Sequence, residues 1–186
     1  MDVNGYWLER GKTYYKEERL KGQFYLDQEQ LFLAVSLSLK PKYVVDVGCG
    51  FGRMTKVLAE AMPGSRFVGL DLSPHQIKNA KDSCRDLINV VFLQHDLCSD
   101  VPLPRGFDLA VCCEVLLHHP HDAAIKVVQE ILKSAQTLIH EVDPNWRRED
   151  FTAGHCFFHD YEQIYDDLGL THRRIDDKGQ RVLVVG

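Results

Sequence analysis

The chain is predicted to be an α/β protein, with a Rossmann-like, doubly wound, mostly parallel sheet whose last strand is antiparallel. Three observations carry this. From Tyr43 onward, short β-rich runs alternate with helical periodicity. A glycine-rich loop, Gly48-Cys49-Gly50-Phe51-Gly52, joins the first of those runs to the first helix. The turn Asp177-Lys178-Gly179-Gln180 suits a closing hairpin, which reverses the final strand.

Residues 43–47, Tyr-Val-Val-Asp-Val, read as a buried strand that Gly48 ends. Met54, Val57, Leu58, Ala61 and Met62 then recur on one helical face, and Pro63-Gly64 stops that helix. A second strand over 66–70 leads to Ser73-Pro74. Ser73 is an N-cap, Pro74 fits the first helical position, and Gln76 completes a capping box. Residues 89–93 and 107–112 are the third and fourth strands, with at most a short helix between Leu97 and Arg105 because of Pro102 and Pro104. Ala124, Val127, Val128, Ile131 and Leu132 mark the next helix, and residues 136–142 the fifth strand. Asp160 caps a helix that presents Tyr161, Ile164, Tyr165 and Leu168 before Gly169 ends it. Strands over 171–175 and 181–185 close the chain.

Residues 1–40 precede this unit as an N-terminal helical arm or cap to the domain over 41–186. A helix is expected over 28–39, with Leu31, Ala34, Val35 and Leu39 inward. Tyr6, Trp7, Tyr14, Tyr15, Phe24 and Tyr25 make the preceding stretch too aromatic for a disordered tail, so it is expected to touch the site.

The 186 residues suffice for one domain with such an arm, and 45% hydrophobic with 26% charged residues is ordinary globular composition. A net charge of −5 disfavours a broad grip on nucleic acid. No apolar run spans a bilayer and the start lacks a secretory signal, so a cytoplasmic protein is expected. The six cysteines form no CxxC pair; Cys112 and Cys113 are expected to be reduced and to pack as small hydrophobes.

The chemistry concentrates at strand ends. In Asp46-Val47-Gly48-Cys49-Gly50-Phe51-Gly52 the glycines let a ligand approach the backbone, and the helix that follows aims N–H groups at it. Arg53 stands where the dinucleotide pattern GxGxxG wants its third glycine, and Asp46 would repel a pyrophosphate but suit an ammonium group. Asp71 ends the second strand, where it can accept ribose hydroxyls, and Asp96 follows the third, where it can accept from an adenine amino group. Together these acids favour a nucleoside with a cationic tail.

With those residues in place, the chain resembles a class I S-adenosylmethionine-dependent methyltransferase over roughly residues 43–186, and within that class the small-molecule and quinone-type enzymes. The resemblance implies the strand order 3-2-1-4-5-7-6. It implies S-adenosyl-L-methionine as cofactor and S-adenosylhomocysteine as product. Asp46, Gly48, Cys49, Gly50 and Gly52 would hold the methionine moiety, Asp71 the ribose, and Leu72, Asp96 and Leu97 the adenine. Cys113 and Glu114 would lie beside the sulfonium and the acceptor. The motifs of base-amino and of common arginine methyltransferases are absent after the fourth strand. The expected activity is methyl transfer to an oxygen or nitrogen of a small molecule. A peptide or protein acceptor, and a non-catalytic cofactor-binding partner, are the alternatives.

Of nine histidines, His118 and His155 fall in segments that should face the acceptor, and they are the candidate catalytic bases. His95, His119 and His121 are expected to be ordinary loop histidines, and Arg147-Arg148 and Arg173-Arg174 solvated pairs, with Arg147 or Arg148 able to bind an anion. Glu114-Val115-Leu116-Leu117-His118 is also similar to the Glu-x-x-Glu-His segment of metal-dependent small-RNA-end and ubiquinone-pathway enzymes. Glu114, His118 and His155 would then hold an ion. Leu117 replaces the second glutamate, so a metal-free histidine site is the first expectation.

Overall fold

A computed structural model describes residues 2–142 and 155–186. Its seven-stranded sheet has the order β3-β2-β1-β4-β5-β7-β6. The strands are β1 Tyr43–Val47, β2 Arg66–Asp71, β3 Val90–Gln94, β4 Phe107–Cys112, β5 Ala135–Glu141, β6 His172–Asp177 and β7 Gln180–Val185. β1 to β5 pair in parallel, and β7 runs antiparallel to both β5 and β6. The hairpin signal and the alternation that precedes it therefore both give the observed topology.

The helices are α1 Val3–Arg10, α2 Gln23–Leu39, α3 Arg53–Ala61, α4 Pro74–Ser83, α5 His121–Ser134 and α6 Tyr161–Asp167. On one face of the sheet, Leu31, Phe32 and Val35 of α2 and Met54, Leu58 and Ala59 of α3 pack with Val44, Phe67, Leu109, Val111 and Ile139. Burying one side chain such as Phe32 fully contributes roughly 1.5–3 kcal/mol. α4 packs on β2 and β3, with Ile77 and Ala80 against Phe92. On the other face, Val127, Val128 and Ile131 of α5 and Tyr161, Ile164 and Tyr165 of α6 cover Val45, Val47, Ala110, Cys112 and Leu138. The inner strands β1 and β4 are buried on both faces, which is why they are nearly all apolar.

One expectation is corrected, and one that was left open is settled. α2 begins five residues before residue 28, because Tyr25 packs inward and extends the buried face. No helix forms between Leu97 and Arg105: the chain runs as turns and extended backbone, with Leu103 buried. Pro102 and Pro104 lack the N–H groups a helix needs. Without a covering helix there, Val91 and Leu93 of the edge strand β3 stay exposed. The opposite edge, β6, carries Arg173, Arg174, Asp176 and Asp177, charges that discourage further strand pairing.

Candidate active site

Every parallel strand delivers its carboxyl end to one edge of the sheet, and the candidate site opens there. The glycine loop is tied down at both sides. The Cys49 N–H donates to the Leu70 carbonyl at 2.8 Å, and the Gly50 N–H donates to Asp71 Oδ2 at 2.8 Å. Asp71 Oδ1 accepts from the Ser73 N–H at 2.8 Å, so one carboxylate orders two turns. Gly48 has φ +72°, and a Cβ on it would stand 2.3 Å from Val115 Cγ2. Only glycine fits there on both counts.

Asp46 is buried beneath the loop and accepts from Thr55 Oγ1 at 2.5 Å. Burial pushes its pKa up to about 6. Burial also raises Asp71, against the opposing effect of the Ser73 and Gly50 N–H donors. Asp96 accepts from the Cys98 N–H at 2.9 Å and from Asn4 Nδ2 at 3.3 Å, so α1 reaches the third acidic strand end.

One cavity is lined by Asp46, Gly48, Cys49, Gly50, Asp71 and Leu72 on one side. Asp96, Leu97, Cys113, Glu114 and His118 complete its other side. Of the cofactor-site residues named from the sequence, only Gly52 is not at its wall. It caps α3 instead, in the left-handed region at φ +83°. His95 and His119 line the cavity too, closer than loop histidines were expected to come. Cys113 is less buried than Cys112 and faces the cavity.

A second cavity adjoins the first and shares Trp7, Tyr14, Glu114 and His118 with it. Its other walls are Tyr6, Arg10, Tyr25, Leu117, His155 and Cys156. The aromatic arm thus forms the roof. Trp7 meets the His118 ring edge-on at 4.6 Å between centroids, and Tyr6 stacks on His155 at 4.1 Å. Glu114, at the boundary of both cavities, holds φ +56°, a left-handed conformation that costs a non-glycine residue about 1–3 kcal/mol and re-aims the chain after β4.

His118 and His155 are 37 residues apart, yet their rings stack at 5.4 Å. The Phe157 N–H donates to the Leu117 carbonyl at 2.6 Å and holds the two segments side by side. His118 Nδ1 lies 3.1 Å from the His155 carbonyl and 3.5 Å from Cys156 Sγ. Burial, then the nearby Arg10, lowers the His155 pKa and favours its neutral ring.

Sequence reasoning missed two participants. Arg53 donates to Glu29 at 2.8 Å and to Gln28 at 2.6 Å and sits over the Tyr25 ring, joining α2 to the cavity wall. Its signal was a cation directly after the glycine loop. Cys156 offered no signal beyond standing next to His155. Arg173 and Arg174 lie on the exposed edge strand, as expected, whereas Arg147 and Arg148 lie outside the described residues.

This fold, with a glycine loop and three acidic strand ends around one cavity, defines a class I methyltransferase architecture. A model of the methyltransferase domain family matches residues 44–137. The chain belongs to that family, the S-adenosylmethionine-dependent methyltransferases. It is 35% identical over 97 residues to a ubiquinone biosynthesis O-methyltransferase of Methylococcus capsulatus, covering 50% of this chain and 40% of that protein. It is 33% identical over 136 residues to a chloroplastic tocopherol O-methyltransferase of Arabidopsis thaliana, covering 71% of this chain and 38% of that protein. The matches thus span well under half of these two relatives' length. The crystal structure of a Synechocystis magnesium protoporphyrin IX methyltransferase with bound S-adenosylmethionine superposes with a TM-score of 0.73 at 20% identity, over 100% of this chain and 97% of that one. That likeness establishes the shared fold. No helix among the described residues is long and apolar enough to cross a membrane.

Proposed function

We propose that the protein transfers the methyl group of S-adenosylmethionine to an oxygen or nitrogen of a small molecule. The observation that carries this reading is the pair of adjoining cavities with Glu114 and His118 in the wall of both. The acidic strand ends bind the cofactor in the first, with Asp46 towards the methionine ammonium, Asp71 at the ribose and Asp96 at the adenine. The acceptor sits in the second. Its aromatic walls, and relatives that are named as O-methyltransferases of ubiquinone biosynthesis and of tocopherol, support a small-molecule acceptor.

The sulfonium makes the methyl group electrophilic, so the protein supplies alignment and takes up a proton. The acceptor lone pair attacks the methyl carbon as the S–CH₃ bond breaks, and its proton passes to His118. The His155 carbonyl can only accept a hydrogen bond, so Nδ1 of His118 carries the ring proton and Nε2 keeps a lone pair. His155 packs against that ring and orients it. Of residues 1–40, the segment before α2 acts as a cap that excludes water from the site, whereas α2 packs into the core of the domain over 41–186. The six free thiols support a reducing, cytoplasmic setting.

The test is to incubate the protein with methyl-labelled S-adenosylmethionine and a panel of small phenols, carboxylic acids and amines. Acceptor-dependent S-adenosylhomocysteine, with label in the small molecule, is the expected result. Label appearing only in added protein would refute the small-molecule reading.

A further inference from the structure

The resemblance to metal-dependent enzymes calls for a hard ion held by oxygen ligands, and this site does not fit one. Leu117 is buried in the place of a second carboxylate. Among the described residues, the one group of donors close enough to hold an ion is His118, His155 and Cys156, without Glu114. Two imidazoles and a thiol suit a borderline or soft cation such as Zn²⁺ and not Mg²⁺.

We propose that His118, His155 and Cys156 form a binding site for one zinc-class divalent cation. Zinc–nitrogen bonds of about 2.0–2.1 Å and zinc–sulfur bonds of about 2.3 Å, at a tetrahedral angle, separate the two donor atoms by about 3.5 Å. His118 Nδ1 and Cys156 Sγ stand 3.5 Å apart in the protein. All three donors lie within 4.8 Å of one another, so completing the site needs the donors to draw together and the stacked rings of His118 and His155 to turn until both nitrogens face one point. The cluster is half-buried against Tyr6 and Trp7, which limit water access to it. Among the described residues three ligands are at hand, and the cluster borders the adjoining cavity, from which a fourth ligand can enter.

On binding, the Cys156 thiol gives its proton to solvent as the sulfur–metal bond forms. His118 exchanges its Nδ1–H···O bond to the His155 carbonyl for the metal bond, and its ring proton moves to Nε2. This last consequence rests on the proposed function. A loaded site leaves His118 no lone pair for the acceptor, so the cation would inhibit methyl transfer.

The experiment is a Co²⁺ titration of the reduced, chelator-stripped full chain, read by absorbance. The expected result is saturation at one ion per chain, with a thiolate-to-cobalt charge-transfer band in the near ultraviolet, intense tetrahedral bands in the visible, and displacement by Zn²⁺. Cys156→Ser should lose the charge-transfer band and bind at least tenfold more weakly, and His118→Asn should also bind at least tenfold more weakly. Cys98→Ser, which alters an exposed thiol elsewhere, should bind as wild type. Circular dichroism and thermal unfolding establish that each variant is folded. Absence of stoichiometric binding to the wild type, or an unchanged band in folded Cys156→Ser, would overturn the site. Methyl transfer that continues at full occupancy would instead overturn the role of His118 as base and leave the site standing.

Discussion

Asp71 at the tip of β2 accepts the Gly50 N–H at 2.8 Å, so the carboxylate proposed to hold the ribose also fixes the glycine loop. Cofactor binding and loop shape are therefore not separable at this residue. Asp71→Ala should weaken S-adenosylmethionine binding by about 2–3 kcal/mol, from the lost charged acceptor. Calorimetric titration gives the number directly, and wild-type affinity would remove the ribose assignment.

Gly48→Val should bind no cofactor. The new side chain would meet Val115 and require a left-handed β-branched residue. Because Gly48 is at the cavity wall, the fold can survive by displacing the loop, so binding should fall further than thermal stability does. A variant that retains full affinity by calorimetry would show that the loop does not face the methionine moiety.

The pH dependence of stability should hide two opposing contributions. Burial lowers the His140 pKa from 6.5 to about 4, so its contribution is present above pH 6.5 and lost as pH falls towards 4. Burial raises the Asp46 pKa from 3.8 to about 6, so its contribution is present below pH 3.8 and lost as pH rises through 6. Each is worth up to about 3 kcal/mol, and between about pH 4 and 6 they cancel. Asp46→Asn should expose the His140 slope, with stability rising by about 3 kcal/mol from pH 4 to 6.5 in denaturant titrations. In the wild type, cofactor affinity should climb as pH rises to about 6 and Asp46 ionises. An affinity flat across that range would argue against an ion pair with Asp46.

Deleting residues 1–22 should leave a folded domain, because none of the three apolar core clusters draws on that segment. Cofactor affinity should drop about tenfold, since Val3, Asn4, Trp7 and Tyr14 leave the cavity wall, and turnover should nearly vanish as water enters. Normal turnover by the truncated chain would make the arm dispensable. Trp7→Ala is the milder version, predicted to lower turnover more than cofactor affinity.

The sequence by itself determined the parallel sheet, its antiparallel close, the glycine loop and the acids at 46, 71 and 96. These are local properties. Strand and helix periods, turn chemistry and the residue that ends a strand are all written within a few neighbouring positions, and parallel topology sends each strand end to the same edge. Over 97–105 Pro102 and Pro104 left a short helix or none, and the chain has none there. Only the tertiary structure decided that Trp7 roofs His118, that Arg53 reaches Glu29, and that Cys156 comes within 3.5 Å of a histidine 38 residues away. Those contacts depend on how α1 and the 155–157 segment cross the sheet edge. That crossing is set by packing and by long-range hydrogen bonds such as Phe157 to Leu117, which leave no periodic trace in the chain.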